Sequence, residues 1–201
     1  MPTVRELRDR LRVWLEDGGA GLWTDAELDE GLRWALEQYT HWAPAERTLT
    51  ATVAAGATAV ALPEDLLHVV RVIAPTGRVI PPRAAAAARA AAGEELAWER
   101  FGQTLRFTQP LPSGDYTVLG AAGRALPAAD DDPFPVPPPA ETLIVAGALV
   151  WALEHWAREE WKRGPLPPRY EARLEAARRD YQALERALRR RLRTRTVEVT
   201  G

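Results

Sequence analysis

The sequence predicts an α+β protein. The expected architecture is an antiparallel helical bundle, two N-terminal and two long C-terminal helices, with a small antiparallel β domain inserted between the pairs and an extended C-terminal tail. Three observations carry this. Apolar residues recur with helical period over residues 4–39 and again over 140–188. Between them the period changes from 3.6 to 2, and short β-prone runs alternate with turn signals. From Tyr170 to Leu188 a single stripe of Tyr170, Leu174, Ala177, Tyr181, Leu184 and Leu188 runs down one long helix at 4-3-4-3-4 spacing. The expected organisation is a helical pair at 1–46, a β-rich insert at 47–124, a Pro/Asp-rich linker at 125–139, a second helical pair at 140–195 and a tail at 196–201.

The first helix is expected over Val4–Glu16, with Thr3 and Glu6 in a capping-box pattern and Gly18-Gly19 ending it. Thr24 and Glu27 repeat the pattern at the start of the second helix, which stops before Pro44. In the insert, Leu49, Ala51 and Val53 alternate with threonines, and Ala59–Leu62 returns after a turn at Ala55-Gly56. Pro63–Leu67 reads as one helical turn, His68–Ala74 as a strand and Arg78–Ile80 as another. Alanine-rich Arg83–Ala92 reads as a short helix, Trp98–Thr108 as a hairpin about Gly102, and Tyr116–Leu119 as the last strand, for about six strands. Five prolines in Pro133–Pro139 favour stiff extended backbone. The third helix, Ala140–Lys162, is apolar on most sides, and Gly164–Pro168 separates it from the striped fourth.

Composition narrows the chemistry. With 201 residues, 46% hydrophobic and 27% charged, the chain can bury a real core. It has no cysteine, which excludes disulfides, thiol nucleophiles and thiolate metal sites. No basic-then-apolar leader opens the sequence, and the longest apolar run, Thr142–Leu153, is too short to span a bilayer. A cytoplasm-like interior and no membrane association are therefore expected. Arginine supplies 25 of the 26 basic residues, and asparagine is absent. Such a bias fits a thermophile, and a GC-rich genome equally.

No constellation for catalysis emerges. Gly18–Gly21 lacks the Lys-Ser/Thr of a phosphate loop, and His41, His68 and His155 make no helix pair for zinc. Asp130-Asp131-Asp132 reads as a solvated turn, since adjacent side chains diverge and no donor set completes a metal site. No catalytic residue, metal ligand or cofactor is assigned, and an enzyme is not expected. Trp14, Trp34, Trp151 and Trp156 fall where helix stripes meet and are assigned to the core, whereas Trp42, Trp98 and Trp161, near element ends, are candidate subunit contacts.

Charge is separated along the chain. Residues 169–195 carry ten arginines against four carboxylates, a net of +6, so the remainder carries −8. The density peaks at Arg189, Arg190, Arg191, Arg193 and Arg195, followed by the β-prone Val197-Glu198-Val199-Thr200. Arginines suit carboxylates or phosphates, and an extended tail can join the edge of a neighbour's sheet.

Trp23-Thr24-Asp25-Ala26-Glu27-Leu28, Leu62-Pro63-Glu64-Asp65-Leu66-Leu67 and the Thr104–Gly120 stretch, together with the long helical end, carry a resemblance. The chain resembles the head–tail connector, or adaptor, proteins of tailed bacteriophages, called gatekeepers in short-tailed phages, over nearly its whole length. The resemblance implies a structural virion protein of the head–tail interface, made in the host cytoplasm. It implies a ring, typically of twelve copies, beneath the portal protein, extending the channel for packaged double-stranded DNA and offering a platform to tail or nozzle proteins. It also implies portal docking through the C-terminal end, here Arg189, Arg190, Arg191, Arg193, Arg195, Val197 and Val199. Two other readings stay open. One is a stopper or tail-completion protein of the same neck, the other a nucleic-acid-binding module that uses the Arg-rich helix.

Overall fold

The structure, a computed structural model, describes residues 1–17, 22–84, 96–161 and 168–199, with the side chains of 159–161, 168 and 193–199 outside the description. The chain divides into two compact units. One comprises Met1–Trp42 and Arg124–Gly201, the other Ala43–Gly123.

The helical unit holds α1 (Val4–Leu15), α2 (Asp25–Thr40), α3 (Pro138–Trp161) and α4 (Pro168–Val199). Both capping boxes form. The Glu6 N–H donates to Thr3 Oγ1 at 3.2 Å, and the Thr3 N–H donates to Glu6 Oε2 at 3.0 Å. Thr24 and Glu27 repeat this at 3.3 and 2.8 Å. These side chains satisfy N–H groups that a first helical turn leaves orphaned. α1 ends earlier than the glycines suggest. Glu16 itself adopts the left-handed conformation (φ 60°), and its N–H reaches back to Arg12 O and Val13 O.

α3 is the central helix, in contact with α1, α2 and α4. Leu143, Ile144, Val145, Ala146 and Ala148 are all buried, as a helix apolar on most sides requires. At Gly147 the neighbours close in. A Cβ there would lie 3.0 Å from both Ala35 Cβ of α2 and Tyr181 Cε2 of α4, so only glycine lets the three helices approach this closely. The stretch before α3 is more than a spacer. Phe134 (0% exposed) and Val136 are core residues, and the Phe134 N–H donates to Pro2 O at 2.8 Å. Trp14, expected in the core, is 37% exposed, since Val4, Leu7, Leu11 and Leu15 already complete the buried face of α1.

Among the described residues the β unit contains seven strands in two antiparallel sheets. They are β1 (Ala45–Val53), β2 (Ala59–Ala61), β3 (Leu66–Ile73), β4 (Val79–Ile80), β5 (Trp98–Phe101), β6 (Thr104–Phe107) and β7 (Gly114–Ala122). Their orders are β1-β7-β3-β4 and β2-β6-β5. The return expected after Gly56 is therefore not a hairpin. β1 pairs with β7 from Ala45↔Ala122 to Val53↔Gly114, and β2 pairs with β6. Alternation marks which face of a strand is buried but leaves its neighbour open. Gly120 of β7 passes under β3, where a Cβ would stand 2.5 Å from His68 O. The turn expected over Pro63–Leu67 is a single hydrogen-bonded turn and ends at Leu66. The Leu66 N–H bonds Pro63 O at 3.2 Å, and β3 begins at once. The core of this unit is Val53, Leu66, Val72, Leu105, Tyr116 and Val118 with their neighbours. Most of the helix expected over Arg83–Ala92 lies outside the described residues.

Candidate functional site

The stripe on α4 holds the helix to its neighbours. Leu174, Ala177 and Leu188 are buried, while Tyr170, Tyr181 and Leu184 are partly so. The Tyr170 hydroxyl donates to Leu153 O on α3 at 2.5 Å, and burial pushes its pKa up. Arg178 Nε and Nη2 donate to Glu154 Oε1 of α3 at 3.0 and 2.9 Å, and Nη1 donates to Glu175 Oε1 at 2.9 Å. The bond to Glu154, then that to Glu175, raises the Arg178 pKa against the opposing effect of burial.

Past Leu188 (7% exposed) the helix continues to Val199. Arg189, Arg190 and Arg191 are exposed and Leu192 is partly so. Arg189 is held in place, with Nη2 donating to Glu185 Oε1 at 2.6 Å and Cζ 5.0 Å above the Trp42 ring centroid. Arg190 Nε donates to Arg186 O at 3.3 Å. Arg193, Arg195, Val197 and Val199 follow on the same helix, their side chains outside the described residues.

One expectation is corrected here. Residues 196–199 belong to α4, which runs through Val199, so they are not an extended tail. Helix propagation adds one hydrogen bond per residue once a nucleus exists, and a long arginine- and leucine-rich segment precedes them. That growth overrides the local β preference of Val197 and Val199. A strand pairing through these residues is not the geometry present.

The three tryptophans proposed as subunit contacts have different fates. Trp98 is a core residue, 7% exposed, and its indole N–H donates to Ile80 O at 2.9 Å. It offers almost no area to a neighbouring copy, because the start of β5 packs into the β core. Trp42 is partly buried and meets Tyr39 edge-on with ring centroids 4.9 Å apart. Its Nε1 is buried with no hydrogen-bond partner among the described residues. Trp161 closes α3, its side chain outside the description.

Sequence reasoning missed a polar cluster at the N-terminal end of α2. Arg8, 5% exposed, donates through Nε and Nη2 to Asp29 (both 3.0 Å) and through Nη1 and Nη2 to Asp130 (3.2 and 2.8 Å). Asp25 lies 3.4 Å from Nη1. The bond to Asp130 and the charges of Asp29 and Asp25 raise the Arg8 pKa, and the Asp130 carboxyl is held below its usual range by the Arg8 bond. Asp131 pairs with Arg5 at 3.3 Å. The aspartate run thus serves as an anchor for α1. The sequence offered one signal for it, an arginine at position 8 among the apolar positions 4, 7, 11 and 15.

Among the described residues no group of three His, Asp or Glu side chains gathers as a metal site, and no helix is long and apolar enough to cross a membrane. His155 stacks on Trp151 at 5.0 Å and 5°. Residues 2–200 match the sequence model described as SU10 adaptor protein. The chain belongs to that family of phage head–tail adaptors, a structural class and not an enzyme class. Among curated proteins none matches the chain with significance.

Proposed function

We propose that this protein is a neck component of a tailed-phage virion that forms a ring beneath the portal. The ring extends the DNA channel and presents a platform to the tail. The portal contact is assigned to the end of α4, at Arg189, Arg190, Arg191, Arg193, Arg195, Val197 and Val199. The observation that carries this is the length of α4. The helix continues eleven residues beyond Leu188, the last buried side chain described, a length of about 16 Å. An isolated helical extension of that length is marginal in water unless something packs on it. With arginine dominating the extension, the fitting partner is a carboxylate-bearing surface. Repetition around a ring, of twelve copies in this reading, multiplies contacts that are individually weak.

The test is to mix the purified protein with portal rings of its own phage and image the product. Twelve-fold density added below the portal supports the reading. Deleting residues 191–201 is expected to leave both units folded and to abolish docking. Changing Arg190, Arg191 and Arg193 to Glu is expected to abolish docking and its salt sensitivity. Docking unchanged by both variants removes the end of α4 as the contact.

A further inference from the structure

Beside the buried stripe, α4 forms an open groove of about 580 Å³ with α1 and α3. Leu149 of α3, Ala177, Ala183 and Leu184 of α4 and Trp14 of α1 line it. Alanine at 177 and 183 stops the side-chain layer short and leaves room that larger residues would fill. Among the described residues Asp180 is the only charged side chain in the lining. It is exposed and makes no ion pair among them.

The β unit presents a surface that suits this groove. In the β2-β6-β5 sheet Trp98, Leu105 and Phe107 face the core, and the period of two puts Phe101 and Arg106 on the opposite face. Phe101 is 67% exposed where Gly102, with φ 58°, turns the β5–β6 hairpin. Arg106 Cζ lies 4.5 Å from the Phe101 ring centroid. Glu99, directly across from Arg106, is taken by Arg83 at 3.0 and 3.1 Å. Arg106 therefore has no carboxylate partner among the described residues.

We propose that the groove of one copy receives the Phe101 edge of another copy of this chain, with Arg106 set against Asp180. Both halves of the contact are on the page. The groove is apolar with one unpaired anion, and the hairpin carries an exposed aromatic ring with one unpaired cation beside it. An aromatic side chain seated in a desolvated pocket is the usual anchor of a protein contact. The ion pair fixes the register in which the ring enters. A guanidinium already lying on the ring is weakly hydrated and loses little water on approach. The two surfaces differ, so the contact is heterologous, the kind that repeats from copy to copy. Closure of that repeat into a ring rests on the connector reading; the pairing of the two surfaces does not.

The experiment uses the absence of cysteine from the chain. A61C labels the hairpin face, since Ala61 is exposed and pairs with Thr104, which pairs with Phe101. A176C labels α4 one turn before Asp180, at a partly exposed position outside the lining. The two full-length variants are mixed and treated with a short bismaleimide, free in solution and on portal rings of their own phage. A product joining one of each is expected, and neither variant alone should link to itself. F101A is expected to lower the yield of mixed product about tenfold. R106E and D180R are each expected to lower it about tenfold, and R106E/D180R in one chain to restore it to within about twofold. The restored pair separates a contact between copies from damage to the hairpin, which would not recover. Absence of the mixed product both in solution and on the portal overturns the proposal, as does a yield that F101A leaves unchanged or that the double swap fails to restore. So does linkage of A61C to itself, or of A176C to portal or tail protein, which gives the surface another partner. A chain that forms the mixed product but docks on no portal keeps the pairing and loses the connector reading. One that docks as a ring without the mixed product does the reverse.

Discussion

Arg189 of α4 lies over the face of Trp42, its guanidinium carbon 5.0 Å from the ring centroid. Tyr39 packs edge-on against the same indole at 4.9 Å, and Arg124 stands 5.5 Å from the Tyr39 ring centroid. The first arginine past Leu188 is thereby tied to the residue that closes the N-terminal stretch of the helical unit.

This contact sets the cost of substitutions at Trp42. W42A and R189A should show a coupling of about 0.5–1 kcal/mol in a double-mutant cycle read by urea unfolding, because Arg189 remains exposed. W42F should lie within about 1 kcal/mol of wild type. It keeps a ring beneath Arg189 and deletes a buried indole N–H with no partner among the described residues. A loss of several kcal/mol in W42F means that the indole nitrogen has a partner.

Arg8 is the most committed charge described. R8A should destabilise the protein by about 2–3 kcal/mol in chemical denaturation. That is the low end for breaking a buried pair, because Asp130 keeps access to water while Asp29 is largely enclosed. R8M, which refills the volume, should recover part of the loss. If R8A is as stable as wild type, Asp29 and Asp130 are satisfied without it.

Two carboxyls link stability to acid. Asp130 is held low by the Arg8 bond, and Glu27 by its bonds to the backbone and hydroxyl of Thr24. A carboxyl with a depressed folded-state pKa adds stability above its unfolded value, near 3.9 to 4.3, and loses it as pH falls through the folded value. The thermal midpoint should therefore be flat above about pH 5 and decline below about pH 4. R8Q should flatten the Asp130 share of that decline. An identical acid profile in R8Q and wild type would place the linkage elsewhere.

Gly147 sets the spacing of α2, α3 and α4. G147V should cost about 2 kcal/mol, since added carbons meet Ala35 and Tyr181 at van der Waals limits. A35G in the G147V background should restore part of that loss, and additive effects of the two changes would remove the steric explanation.

Local features of this chain were legible in its sequence, and long-range ones were not. Thr3 with Glu6 and Thr24 with Glu27 form their capping boxes because a cap needs only residues three apart. Leu174, Ala177 and Leu188 are buried because the helical period alone puts them on one face. The arginine density at the end of α4 is likewise a property of neighbouring residues.

The tertiary structure decided the rest. β1 takes β7 as its partner, since a period of two selects a face and never a neighbour. Arg8 meets Asp130 across 122 positions, which makes one aspartate of an otherwise solvated turn an anchor. Trp98 moves from candidate contact to core and Trp14 from core to surface, because burial depends on which other elements arrive. Residues 196–199 stay helical although valine and threonine favour strands, since a helix already nucleated extends at less cost than an unpaired strand can form. Periodicity and capping are fixed by bonds within one turn. Strand partners, ion-pair anchors and the reach of α4 depend on free energies summed over residues far apart in the chain.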